Sequence, residues 1–210
     1  MDKANFLMVE NDTLLRQGFV NLLKREYFVR NVYEAANATE FETQINAHTI
    51  DIVLLDVHLG DVSGVEILMK LRKRPIQPKV IVVTGLEGVE LMINLLKAGV
   101  EAIVSKLDGY TEVLKAIKEV MKGGTYFPDR VLQVIRNNAS RWDSVPPVTL
   151  TESEKELLKA LSRGLTTKEV AVHLKMAEAT AETYRLRLQK KLGVHNTAAL
   201  LAYTYTNGIL

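Results

Sequence analysis

Over its first 125 residues the chain alternates short apolar runs with segments of helical spacing. Phe6-Leu7-Met8-Val9, Ile52-Val53-Leu54-Leu55, Val80-Ile81-Val82-Val83 and Ala102-Ile103-Val104 are apolar on both faces, as strands inside a parallel sheet must be. A weaker pattern predicts a further strand from Val29 to Tyr33. Between these runs Leu14, Leu15, Phe19, Leu22 and Leu23 fall on one helical face, and Val65, Leu68, Met69 and Leu71 do so more loosely. Leu91, Leu95 and Leu96 mark another helix, and Val113, Leu114, Ile117, Val120 and Met121 one more. Alternation of this kind predicts a doubly wound α/β domain built on a five-stranded parallel sheet.

The pattern changes after Gly123-Gly124. One short helical stretch, Pro128 to Asn137, precedes a segment from Ala139 to Thr149 in which Ser140, Ser144 and Pro146-Pro147 oppose regular structure. From Leu150 onward no strand pattern remains. Thr151 followed by Glu154 has the form of a capping box, opening a helix through Leu157, Leu158 and Leu161 that stops at Gly164. A second helix starts near Thr167 with Val170, Ala171 and Leu174 turned inward, a third runs from about Ala179 to Leu192, and a fourth from Thr197 to about Thr206. Within the third, Ala181, Tyr184, Leu188 and Leu192 form the predicted buried side. The expected organisation is an α/β domain over 1–125, a linker with a short helix over 126–147, and an all-α four-helix helix-turn-helix domain over 148–210.

Composition narrows the chemistry. With 210 residues, 47% hydrophobic and 25% charged, the chain has ample material for folded cores. It has no cysteine, which removes thiol nucleophiles and disulfides, and its four histidines lack metal-ligand spacing on one helix. No apolar run is long enough to span a bilayer, and the start MDKANFLMVEND carries acids where a signal peptide would carry lysines, so a soluble, cytoplasmic protein is expected. Net charge is +2, unevenly spread: residues 1–128 hold 15 Lys and Arg against 17 Asp and Glu, and residues 148–210 hold 9 against 6. A basic small helical domain points weakly towards nucleic acid.

The ends of the apolar runs carry Glu10, Asn11, Asp56, Thr84 and Lys106. Ligands of such sheets bind beyond the carboxyl ends of the strands. An aspartate there can act as nucleophile towards a phosphoryl group, a divalent cation can neutralise the oxygens, and a hydroxyl and a lysine can hold them. Asp56, Glu10, Thr84 and Lys106 supply those roles.

The segments VEND (9–12), LLDVHLGDVSG (54–64), VVTG (82–85), LLKAGVEAIVSK (95–106) and TEVLKAIKEVMKGGTYF (111–127) resemble the receiver domain of two-component response regulators. Together with the C-terminal motif the chain is similar to the NarL/FixJ subfamily, a flavodoxin-like receiver joined to a LuxR-type helix-turn-helix. The resemblance implies that Asp56 is the phosphoacceptor, Thr84 the switch hydroxyl and Lys106 the phosphate-binding lysine. It implies Mg2+ held by Glu10, Asn11, Asp56 and the backbone carbonyl of His58. Asn11 stands where the family has a second acid, so the metal site is expected to be weakened, with Asp12 starting the first helix instead. Ile103 occupies the usual switch-aromatic position, and Gly60 replaces a common proline.

Residues 150–209 resemble the LuxR-type motif across all four helices. Glu182, Thr183, Leu186 and Lys190 are implied to read the major groove, and Lys168, Thr180, Arg185, Arg187 and Lys191 to contact phosphates. Ala179 and Ala181 depart from the common basic residue and valine. The expected protein is a non-enzymatic transcriptional regulator of double-stranded DNA, phosphorylated by a sensor histidine kinase, acting as a homodimer and binding no membrane. The alternative is a receiver that works without phosphorylation, as a dimerisation or partner-binding module. A metabolite phosphotransferase lacks an additional acid/base residue to serve it.

Overall fold

The computed structural model describes every residue except Met1, Asp61, Leu86, Glu87, Asp143, Ser144, Pro146, Pro147 and Leu210. The linker residues Ser144, Pro146 and Pro147 named above therefore lie outside the described residues. Strands β1 (Ala4–Val9), β2 (Val29–Ala35), β3 (Ile52–Leu55), β4 (Lys79–Thr84) and β5 (Ala102–Ser105) form one sheet in the order β2-β1-β3-β4-β5, every pairing parallel. Helices α1 (Thr13–Leu23), α2 (Ala38–Ala47), α3 (Gly64–Leu71), α4 (Val89–Lys97) and α5 (Gly109–Met121) alternate with the strands. The three central strands are buried almost throughout, which is why their sequences read as unbroken apolar runs. β2 lies at the edge and carries exposed Arg30 and Asn31, so its pattern is weaker, and it extends two residues beyond Tyr33.

Three apolar assignments, on two helices, are corrected. Leu14 (84% exposed) and Leu22 (38%) leave the predicted core face of α1, whose buried residues are Phe19, Val20 and Leu23. Met69 is likewise exposed, while Ile67, Leu68 and Leu71 bury the face of α3. A helix with leucines on adjoining stripes does not tell from spacing which stripe faces the sheet.

All-helical structure follows: α6 (Asp129–Asn137), a 3₁₀ turn at Ala139–Arg141, then α7 (Glu152–Ser162), α8 (Thr167–His173), α9 (Glu178–Leu192) and α10 (Thr197–Thr206). Their core is Leu157, Leu158, Val170, Ala171, Leu188 and Leu200 with their neighbours. Local signals set the ends. Thr151 and Glu154 form the reciprocal capping box of α7, and Thr166 with Glu169 forms another at α8. Gly193 ends α9 in the left-handed conformation (φ 67°).

Packing divides the chain into two compact units. One is Met1–Glu87 with Ala102–Ile117, and the other is Gly88–Glu101 with Lys118–Leu210. α4 and the end of α5 thus group with the C-terminal helices. Arg141 forms two hydrogen bonds with Glu90 at 2.6 and 2.8 Å, and Asn196 Nδ2 donates to the Leu96 carbonyl at 3.3 Å. The Lys97 ammonium also lies 5.9 Å from the centroid of the Trp142 ring.

Candidate phosphoacceptor site and DNA-reading helix

The strand ends of the first unit bring the predicted polar residues together. Asp56 follows β3, is 2% exposed, and its amide donates to the Val9 carbonyl at 2.9 Å. Glu10 follows β1 and is fully buried. Lys106 follows β5, and its ammonium bridges the two acids, 2.8 Å from Asp56 Oδ2 and 2.6 Å from Glu10 Oε2. Thr84, at the end of β4, is buried and in register with Ser105.

Each group is held locally. Ser105 and Asp108 form a capping box around the 3₁₀ turn that starts at Lys106. Glu10 Oε1 accepts from the Asp12 amide at 3.1 Å, and Asp12 caps α1 by accepting from the Leu15 amide at 2.9 Å. Asp56 Oδ1 accepts from the His58 amide at 3.2 Å. Burial pushes the Glu10 carboxyl up despite Lys106 and the Asp12 amide. Burial pulls Lys106 down, but hydrogen bonds and charge from Asp56 and Glu10 outweigh it and hold the ammonium above the ordinary lysine value.

Two glycines shape the loop after Asp56. Gly60 has φ 75°, which proline's ring forbids, and it lies between two short antiparallel segments, His58–Leu59 and Val62–Ser63. At Gly64 a Cβ would lie 2.6 Å from the Asp56 carbonyl oxygen. Only glycine lets α3 start against the Asp56 backbone.

Two buried carboxylates converge on one cation here, while Asn11 is exposed and contributes no charge. Among the described residues no three acidic or histidine side chains cluster as a metal site. The donors present suit a magnesium ion that keeps several waters and takes two carboxylates, not a dedicated cage. Ile103, expected at the switch-aromatic position, is buried and in register with Val82.

On α9, Thr180, Thr183, Leu186, Arg187 and Lys190 are exposed, as is Lys168 on α8. Arg185 is a correction. Expected at a phosphate, it is only 9% exposed and is consumed inside the protein. Its guanidinium donates to Glu182 at 2.7 and 3.0 Å, to Thr197 Oγ1 at 2.6 Å and to the Gly123 carbonyl at 3.0 Å. Glu182, expected to read bases, is neutralised by this pairing. Lys191 binds both carboxylate oxygens of Glu154, and Tyr184, expected in the core, is half-buried.

Sequence reasoning missed the contacts between the end of α5 and the start of α8 and α9. Buried Glu119 accepts a hydrogen bond from the Thr167 amide, and Lys122 pairs with Glu178 at 3.0 Å. A Cβ at Gly124 would overlap Thr167 Oγ1 and Glu119 Oε1, and one at Gly123 (φ 91°) would lie 2.9 Å from the Glu182 side chain. The Gly-Gly doublet was the available signal, although by itself it reads as a domain end.

Comparison with known proteins agrees with this architecture. Residues 6–118 match the response regulator receiver domain family, and residues 148–204 match the bacterial regulatory proteins of the luxR family. The DNA-binding transcriptional activator DevR/DosR of Mycobacterium tuberculosis is 31% identical over 191 residues, covering 89% of this chain and 87% of that protein. The nitrate/nitrite response regulator protein NarP of Escherichia coli is 28% identical, covering 92% of this chain and 90% of its own. The structure of RcsB from Salmonella enterica serovar Typhimurium, bound to a promoter in the presence of the phosphomimetic BeF3-, superposes with a TM-score of 0.61. It is 22% identical and the match covers 98% of this chain and 100% of that one, a likeness of fold.

Proposed function

The chain belongs to the response regulators, as a transcriptional regulator with a receiver and a LuxR-type DNA-binding domain, and from that premise we propose that phosphorylation of Asp56 by a sensor histidine kinase controls dimerisation and promoter binding. The observation that carries the reading is the convergence of Asp56, Glu10, Lys106 and Thr84 at four neighbouring strand ends.

An Asp56 carboxylate oxygen attacks the phosphorus of the kinase's phosphohistidine. A P–O bond forms, the P–N bond breaks, and its electron pair returns to the imidazole, which takes up a proton. In this reading Lys106 moves from its bridge onto a phosphoryl oxygen, and the Thr84 hydroxyl donates to another. Glu10, Asp56 and the His58 carbonyl would hold Mg2+, which neutralises charge on the phosphoryl oxygens when bound. With Ile103 already buried, the switch rests on Thr84 and Lys106, with no aromatic ring to swing inward.

Phosphorylation shifts an equilibrium between a form in which one flank of α9 is held by Lys122 and Gly123 and a form in which it is free to dock on paired half-sites. The active species is a homodimer on double-stranded DNA, and the protein works in the cytoplasm. Among the described residues no helix is long and apolar enough to cross a membrane.

A second reading is favoured by Asn11 and the lysine bridge: the receiver serves as a dimerisation or partner-binding module without phosphorylation. Intact mass after incubation with Mg2+ and a small phosphodonor separates the two. Gain of one phosphoryl group, absent in Asp56→Asn, is expected. No gain across a wide magnesium range, with the fold intact, would establish the second reading.

A further inference from the structure

The N-terminal part of the reading face of α9 is poor in hydrogen-bonding groups. Up to its middle the helix exposes Ala179, Thr180, Thr183 and Leu186, and beyond that Arg187, Lys190 and Lys191, the last of them paired with Glu154. In the first stretch Glu182 and Thr183 are already engaged, which leaves the Thr180 hydroxyl. The Glu182 carboxylate takes two guanidinium nitrogens of Arg185, at 2.7 and 3.0 Å, and Thr183 Oγ1 donates to the Ala179 carbonyl at 2.9 Å. Most of what faces outward beside the Thr180 hydroxyl is hydrocarbon. Leu186 is 49% exposed in the middle of a polar helix, and Ala179, Thr180 and Thr183 line a shallow concavity of about 330 Å³ with Tyr184 and Arg187.

Leucine has no hydrogen bond to offer a base edge. In the major groove its complement is the C5-methyl group of thymine, the apolar feature the bases display there. Leu186 lies one turn beyond Thr183 and one turn before Lys190, so it shares the exposed side with both. Arg187 and Lys190 can hold phosphates while Leu186 and the small residues before it rest on methyl groups.

We infer that this protein recognises its half-site chiefly through thymine methyl groups, with Leu186 as the specificity-determining side chain. The inference rests on α9 entering the major groove, as the proposed function requires. It makes the base pair that meets Leu186 a thymine-bearing one.

The test uses the full-length chain, with and without Mg2+ and a small phosphodonor, to select duplexes from a random library beside Leu186→Ala. An exposed side chain leaves the fold unchanged, which circular dichroism checks. The wild type is expected to enrich thymine at one position per half-site, and Leu186→Ala to relax that position alone. Rebuilding the selected site with uracil there should weaken the wild type about fourfold, the worth of one buried methyl, and leave the variant unmoved. Identical selected sites for both proteins, or an equal response to uracil, would overturn the inference. Failure of either protein to enrich any sequence would instead count against DNA reading by α9.

Discussion

At the scale of single residues, Lys106 sets the charge balance of the pocket around Asp56. Glu10 and Asp56 are both buried, and the same ammonium lies within 2.8 Å of each. Replacing it leaves two like charges facing one another without a counter-ion. Lys106→Met is therefore expected to lose about 3 kcal/mol of stability, measured by urea unfolding at pH 7. Asp56→Asn in that background should recover much of the loss, because it removes one of the repelling carboxylates. A Lys106→Met protein as stable as the wild type would show that the bridge contributes nothing. The four polar strand-end residues were legible from sequence because each follows an apolar run. That one lysine binds two acids was not, since the three residues are separated by 46 and 50 positions and meet only through strand order.

Among the elements, α7 and α3 show two kinds of constraint. Glu154 closes the capping box of α7 and binds Lys191 at 2.6 and 2.9 Å, tying the start of α7 to the end of α9. Burial pushes its carboxyl up, but Lys191 and the Thr151 amide outweigh that and hold it below its ordinary value of 4.5. A depressed carboxyl contributes stability that is present above the ordinary value and lost as pH falls through the lowered one. Glu154→Gln should thus cost about 1 kcal/mol at pH 7. The gap from wild type should close in acid, and urea midpoints at pH 7 and pH 3 check it. A gap of equal size at both would sink the assignment. At α3 the constraint is steric. Gly64→Ala places a methyl 2.6 Å from the Asp56 carbonyl oxygen, and a loss of about 2 kcal/mol with slower phosphoryl uptake is expected by thermal melting and intact mass. The capping box was visible in the spacing of Thr151 and Glu154, whereas the need for glycine at 64 was not, because the obstructing backbone belongs to a different element.

For the whole molecule, the question is what holds α9 when the receiver is unmodified. Glu119, Lys122 and Gly123 engage the start of α8 and one flank of α9, and Gly124 leaves no space for a Cβ there. Gly124→Ala changes no charge but wedges this contact open. We expect it to raise the DNA affinity of the unphosphorylated chain about fivefold or more, with Asp56 phosphorylation unchanged. Titration of a labelled duplex with and without phosphodonor is the check, and equal affinities for variant and wild type would remove the contact from the regulatory scheme.

What depends on near neighbours can be read along the chain: the alternation of strands and helices, the caps at Asp12 and Thr151, the stop at Gly193, and the polar residues that end the apolar runs. Spacing of 2 and 3.6 residues and local hydrogen bonds carry that information along the chain. Only the tertiary structure decided which leucine stripe of α1 is buried, that Lys106 joins Glu10 to Asp56, and that Arg185 is spent on Glu182, Thr197 and Gly123 and kept from DNA. A long cation finds its partner among all the acceptors the fold brings within a few ångströms. Helical periodicity fixes the face on which Arg185 lies but not which neighbour that face meets.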